Sequence, residues 1–378
     1  MPERTYELGL DSFIAVTAGA DGTPVSGAQA IRDTVEEGVL AEQVGIDSFS
    51  VGEHYRDDMM DSAAHVVLAT IAGRTERIRL GTAVTVLSTQ DPVRLYNNFA
   101  TLDAVSDGRA QLIVGRGSAI ESFPLFGYDL SEYEELFEEK LGLFVELLRG
   151  GPVTWSGKYR PALADAVLTP PLPEGHLPTW VGSGGSPESV IRAARYGLPL
   201  MLAVIGGSPA RFRPLVDLYR RALAKYEHRT DLPVGLHTVS FVAATDEEAV
   251  ETQWPYWRET FDRAASERGW RRPTREQYDA EVEHGALFVG SPETVAQRLA
   301  AVMRTLDLDR LGLHYAIGTV PAPRRRQSIE LLGREVFPRV RELLARDPGE
   351  HAHPGSAGNL ADVSSPVRST HAPDPVAR

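Results

Sequence analysis

No cysteine occurs in the 378 residues, which excludes disulfides, thiolate nucleophiles and cysteine-ligated metals together. No apolar run reaches the ~18 residues that a membrane span needs. Neither HExxH nor a clustered carboxylate spacing occurs, so no metal site is expected. Basic residues are outnumbered, 39 Lys and Arg against 52 Asp and Glu, for a formal net charge of −13. Such a balance disfavours a phosphate-tracking surface, and nucleic acid is not an expected partner. The opening MPERTYELGL has neither a charged leader nor an apolar core of the secretory kind, and the expected location is cytoplasmic. What the chain does have is apolar residues, 42% of the total. That suffices for a large core and is too much for a mainly disordered chain.

Short apolar runs alternate with longer helical patterns. Strands are expected over Tyr6–Phe13, Asp47–Val51, Ile78–Leu87, Ala110–Val114, Thr179–Gly182, Leu198–Ile205, Val234–Ala243 and Arg310–Ala316, each followed by a helical stretch. Eight such units predict parallel strands joined by crossover helices and favour a (β/α)8 TIM barrel over residues 1–345. Periodicity alone leaves an open, doubly wound sheet standing beside it. Two insertions break the rhythm. One, near 150–178, is rich in Gly and Pro and sets Trp155, Gly157 and Tyr159 in a hairpin-like context; the other, near 254–286, is an irregular aromatic region with Trp254, Trp257 and Trp270. Residues 346–378 lack an apolar period and are expected to form a disordered tail.

Three segments just past expected strands carry useful polar groups. Gly52-Glu53-His54-Tyr55 follows the second strand. A carboxylate beside an imidazole at a strand end suits proton transfer, since imidazole titrates near neutral pH. A polar loop that merely satisfies backbone groups accounts for the same residues. Val181-Gly182-Ser183-Gly184-Gly185-Ser186-Pro187-Glu188-Ser189 runs from the fifth strand into a helix. Helix-start N–H groups together with the Ser186 and Ser189 hydroxyls make a phosphate site; a tight, well-capped turn is the other reading. The segment is neither the dinucleotide fingerprint nor the P-loop. Gly115-Arg116-Gly117-Ser118 follows the fourth strand, where Arg116 suits either an anionic or carbonyl ligand group or a salt bridge at the rim. Elsewhere, His237 reads as a core residue, His314-Tyr315 as core residues or pocket lining, the three tryptophans as packing or a lid, and Arg324-Arg325-Arg326 as a solvated helix start.

Taken in order, these and further segments resemble the luciferase-like flavin-dependent monooxygenases over roughly residues 5–345. Glu53-His54-Tyr55 is similar to the family's EHH motif. Gly81-Thr82-Ala83-Val84 resembles its third-strand segment, where a non-prolyl cis peptide often underlies the flavin. Leu102-Asp103 with Ser106-Asp107-Gly108-Arg109 matches its LD…S.GR signature. Gly185-Ser186 and Ser189 with Gly197-Leu198-Pro199 match the phosphate turn and its exit, and Leu287-Phe288-Val289-Gly290-Ser291-Pro292-Glu293 matches a late family segment.

The resemblance implies a homodimeric barrel enzyme that receives reduced FMN from a separate flavin reductase. It would use O2 to oxidise a hydrophobic small molecule, by hydroxylation or in the Baeyer–Villiger manner. It implies His54 as a base near the flavin, with Glu53 contacting the ring edge or orienting that histidine. Ala83, Val84, Gly115, Arg116, Gly117, Gly184, Gly185, Ser186 and Ser189 fall at cofactor-contacting positions. A deazaflavin-dependent dehydrogenase and a non-catalytic flavin-binding protein are the alternatives. Three departures stand out: Tyr55 replaces the second His of EHH, and Glu134 stands where luciferase has an arginine at the flavin phosphate, leaving that charge to Arg116 and the serine turn. Gly115 replaces a larger residue, leaving room for a bulkier substrate.

Overall fold

The structure, a computed structural model, describes residues 4–19, 23–117, 120–173, 176–268, 271–315 and 317–346. Their strands are β1 (Glu7–Ser12), β2 (Ser48–Val51), β3 (Arg79–Thr82), β4 (Thr85–Val86), β5 (Leu112–Gly115), β6 (Val153–Trp155), β7 (Leu163–Ala166), β8 (Thr179–Ser183), β9 (Leu200–Ala203), β10 (Val234–Val242), β11 (Leu287–Gly290) and β12 (Arg310–His314). One sheet runs β3-β2-β1-β12-β10-β9-β8-β5-β4, with β11 added to β10. Every ladder in it is parallel. β3 and β4 are successive pieces of one segment, and Leu80 bridges to Ala110 just ahead of β5. The sheet therefore comes round on itself as a (β/α)8 barrel, and the C-terminal ends of its strands share one rim.

Alternation along each strand sorts side chains between the helical shell and the barrel interior. On β1, Leu8 and Leu10 join the main hydrophobic core, while Glu7 and Asp11 reach partners on other strands. At the barrel floor Gln111 donates to Glu7 (2.9 Å), and the buried Arg310 donates to Gln111 (3.1 Å). One sector of the interior is a separate apolar cluster of Val84, Ile113, Trp180 and Met201. The opposite sector, on β1, β10 and β12 and in the loop after β2, carries imidazoles and carboxylates. That division positions the site.

Several expectations need correction. Ile78–Leu87 is two short strands on either side of a cis Ala83–Val84 peptide. The insertion near 150–178 contains the antiparallel hairpin β6–β7. The region near 254–286 is not irregular: Asp246–Arg268 is one helix running through Pro255, followed by the helix Arg275–His284 and then β11. Trp254 and Trp257 stack at 6.0 Å, and each ring lies 5.2 Å from Tyr278. Their spacing serves helix packing. Trp270, Ser118, Ala316 and the tail expected beyond Arg346 lie outside the described residues.

The basic run is also misread at one position. Arg325 is buried, and its Nε donates to Glu37 (2.8 Å) on the helix Gly27–Gln43. The other Glu37 oxygen accepts the Tyr315 hydroxyl (2.6 Å) just past β12. The Ser106…Arg109 signature is structural as well. The Arg109 guanidinium donates to the carbonyls of Ala72 (3.0 Å), Thr75 (2.9 Å) and Ile78 (3.0 Å), gathering a helix end onto the entry to β3.

Candidate active site

β2 and β8 belong to one parallel sheet, so the loop after β2 and the turn after β8 open on the same rim. His54 lies in the first. Its Nδ1 is 2.6 Å from Asp61 Oδ2, and its backbone N–H donates to Asp61 Oδ1 (2.9 Å). Asp61 has no solvent exposure. A carboxylate held at Nδ1 fixes the ring and favours a proton there, which leaves Nε2 to accept one. Sequence reasoning missed Asp61, because a carboxylate seven positions on in a polar loop has no periodic relation to His54.

Glu53 does not orient His54, as one expectation had it. Its oxygens accept from the Val86 N–H (2.9 Å), Gln90 Nε2 (2.6 Å) and the Tyr55 hydroxyl (2.6 Å). Burial holds its carboxyl above the usual range, against the pull of these donors. Glu53 thus ties the loop after β2 to β4, directly beyond the Ala83–Val84 peptide. Burial and the neighbouring Glu53 push the Tyr55 phenol well above its ordinary value, so Tyr55 serves as a hydrogen-bond donor that keeps its proton.

After β8, Ser186 caps the helix Pro187–Arg195, its Oγ accepting from the Ser189 N–H (3.2 Å). The Ser186 hydroxyl also donates to Ser189 Oγ (2.9 Å), and Ser189 is buried beneath the turn. Gly185 has φ +110°, a conformation L side chains rarely adopt, and a Cβ there would lie 2.9 Å from Phe212. At Gly184 an added Cβ would meet nothing within 4 Å. The turn is open on that side, backed by a helix start and a hydroxyl, which fits a phosphate.

Arg116 forms the rim salt bridge of the two readings. It pairs with Glu134, and its Nη1 donates to the Tyr133 hydroxyl (3.1 Å). Arg192, unremarked in the sequence, meets the same Glu134 (2.7 Å) from the helix that Ser186 caps. The Gly115 expectation fails outright. A Cβ there would lie 2.7 Å from Val84 Cγ2, and one at Gly182 would lie 3.0 Å from Val84 Cγ1. Val84 fills that space, so it is not room for substrate. Gly117 similarly faces Val86, 2.9 Å from a built Cβ.

Phe13, just past β1, brings three imidazoles together. Its ring centroid is 4.5 Å from His54, 5.9 Å from His237 and 4.3 Å from His314. His314 fits the core reading: burial pushes it down to about 3, with His237 and His54 adding to the shift, so it stays neutral. His237 carries a buried partner, Asp11 (2.6 Å). Around the mouth, Ile120, Leu125, Phe126 and Ile205 are exposed. Phe126 meets the Tyr55 ring edge-on at 5.0 Å.

The chain has clear relatives among known proteins. A family model described as luciferase-like monooxygenase matches residues 10–309. An F420-dependent glucose-6-phosphate dehydrogenase of Rhodococcus erythropolis is 25% identical over 340 residues, covering 82% of this chain and 94% of the relative. Among solved structures, monooxygenase RslO1 from Streptomyces bottropensis superposes with a TM-score of 0.75 at 21% identity, over 88% of this chain and 99% of that one. The oxygenating constituent of 3,6-diketocamphane monooxygenase from Pseudomonas putida, a type II Baeyer–Villiger monooxygenase in complex with FMN, does so with 0.69 at 21% identity, over 89% and 99%.

Proposed function

Because the chain belongs to the luciferase-like monooxygenase family, we propose that it is a cytoplasmic, homodimeric FMN-dependent monooxygenase. It takes reduced FMN from a separate flavin reductase and oxidises a hydrophobic organic molecule with O2, by hydroxylation or Baeyer–Villiger insertion. One observation carries the reading: His54, fixed by the buried Asp61, and the open Ser186 turn lie past the C-terminal ends of strands in one parallel sheet. Reduced FMN supplies the electrons that activate O2.

The chain's residues divide the remaining work. Gly184, Gly185 and Ser186 hold the phosphate, Ser189 braces Ser186, and Arg116 stands by with its charge shared with Glu134. Ala83, Val84, Gly115 and Gly117 back the ring through the packed Val84 and Val86. His54 Nε2 accepts a proton from the reacting groups, and Glu53 keeps β4 against the loop that bears His54. Exposed Ile120, Leu125, Phe126 and Ile205 favour an apolar substrate.

A deazaflavin-dependent dehydrogenase is the second reading, favoured by the F420-dependent relative. Titrating the purified full-length protein with FMN and with coenzyme F420 separates the two. The proposal expects FMN to bind with a Kd of roughly 1 μM or below, more tightly when reduced. Tight binding of F420 with none of FMN overturns it. Feeding ketones and aldehydes with an FMN reductase under ¹⁸O2, and following the label by mass spectrometry, then identifies the substrate.

A further inference from the structure

The mouth contains a second imidazole with the same support as His54. His237 projects inward from β10, and its Nδ1 is 2.6 Å from Asp11 Oδ2 on β1. The Asp11 side chain is 1% exposed. Its place inside the barrel depends on Gly312, where any Cβ would collide with the carboxylate. Burying a carboxylate costs free energy that only close, well-aimed partners offset. This barrel does so twice at one mouth, and each time the partner is an imidazole Nδ1.

The two rings also match in what they leave open. His54 and His237 side chains are 15% and 12% exposed, while both aspartates are essentially sealed. Neither Nε2 has a hydrogen-bond partner among the described residues, and Phe13 touches both rings. His314, in the same cluster, has no such carboxylate among the described residues. A histidine needed only for packing would gain nothing from a buried, aligned anion.

We propose that His237 is a second substrate-contacting imidazole, whose Nε2 accepts a hydrogen bond from an O–H group of the substrate while Asp11, holding Nδ1, acts as the positioning residue. The reaction at issue is that of the monooxygenase reading; the geometry of the pair is independent of it. Substrate oxygen is then held by His237 while His54 handles the proton, and Phe13 supplies an apolar contact to both rings.

Two substitutions separate this role from a structural one. Asparagine at 237 places an amide N–H near the Nδ1 position and keeps the bond to Asp11, but has nothing at Nε2. Glutamine reaches the Nε2 position and gives up Asp11. The proposal expects His237→Asn to fold with wild-type thermal stability and FMN affinity yet lose kcat/KM by ~10²-fold, and His237→Gln, though less stable because Asp11 loses its partner, to keep more kcat/KM per folded molecule than His237→Asn. A structural role gives the reverse order: His237→Asn as active as wild type within about twofold, and His237→Gln impaired through instability.

A second measurement needs no substrate. Diethylpyrocarbonate, applied to the full chain without flavin and mapped by mass spectrometry, should modify His237 at a rate comparable to His54 and faster than His314. His237 left unmodified where His54 reacts overturns the proposal. If wild type turns over no compound offered, the monooxygenase reading fails, and the modification pattern still decides the place of His237.

Discussion

His54→Ala lowers the rate of substrate oxidation by ~10²-fold or more while leaving FMN affinity nearly unchanged, as expected for loss of a general base that does not hold the cofactor. The reasoning rests on the ring's anchoring. Asp61 receives both the Nδ1 proton and the backbone N–H of His54, so one buried carboxylate sets the position and tautomer of the imidazole. Among the described residues no hydrogen bond joins that ring to the phosphate turn, which is why affinity and turnover should part company. Asp61→Asn should reproduce much of the loss, because an amide cannot match the carboxylate's hold on the Nδ1 proton. Product formation under saturating reduced FMN, with fluorescence titration of FMN in parallel, reads both quantities. Wild-type turnover in His54→Ala removes the residue from the mechanism.

Arg325→Met destabilises the fold by about 3–5 kcal/mol, the usual consequence of stranding one member of a buried ion pair. Burial works against the Arg325 cation, but Glu37 beside it raises its pKa overall, and the guanidinium stays charged. Burial pushes the Glu37 carboxyl up, and without Arg325 it keeps, among the described residues, only the Tyr315 hydroxyl. The damage should reach the site, since Tyr315 follows His314 directly and the pair anchors the end of β12 to the helix Gly27–Gln43. Urea unfolding of Arg325→Met and of the double variant Glu37→Met/Arg325→Met provides the check. The double variant should regain most of the lost stability, because no charge is then left without a partner. Equal instability of the two would show that packing, and not the stranded carboxylate, sets the cost.

The barrel was legible because its strands are short apolar runs set off by amphipathic helices, a pattern that survives without knowledge of contacts. The rim loops after β2, β5 and β8 were legible for the same reason: strand ends in a parallel barrel all point one way. Contacts between distant residues were not legible. Asp11 and His237 lie 226 positions apart, and each sits in a run that reads as ordinary core strand. Arg325 is hidden inside a run of three arginines, where uniform charge masks which member turns inward. Gly115 shows the converse error. A small residue beside a site looks like vacant space, yet here a neighbouring Val84 occupies it. Trp254 and Trp257 read as part of an irregular stretch, yet they lie on one helix: Pro255 between them disfavours a helix locally, and tertiary packing on Tyr278 overrides that preference.

In the proposed complex one flavin spans the barrel mouth with its phosphate on the Ser186 turn. That placement is tested most directly by titrating wild type and Ser186→Asp with FMN and with riboflavin, which lacks the phosphate. Aspartate is as good a helix cap as serine, so the turn should persist while its new charge repels the phosphate. FMN affinity should fall by ~30-fold or more, about 2 kcal/mol, while riboflavin affinity moves by less than about threefold. Equal shifts for the two flavins, or no shift for either, would put the phosphate elsewhere and contradict that placement.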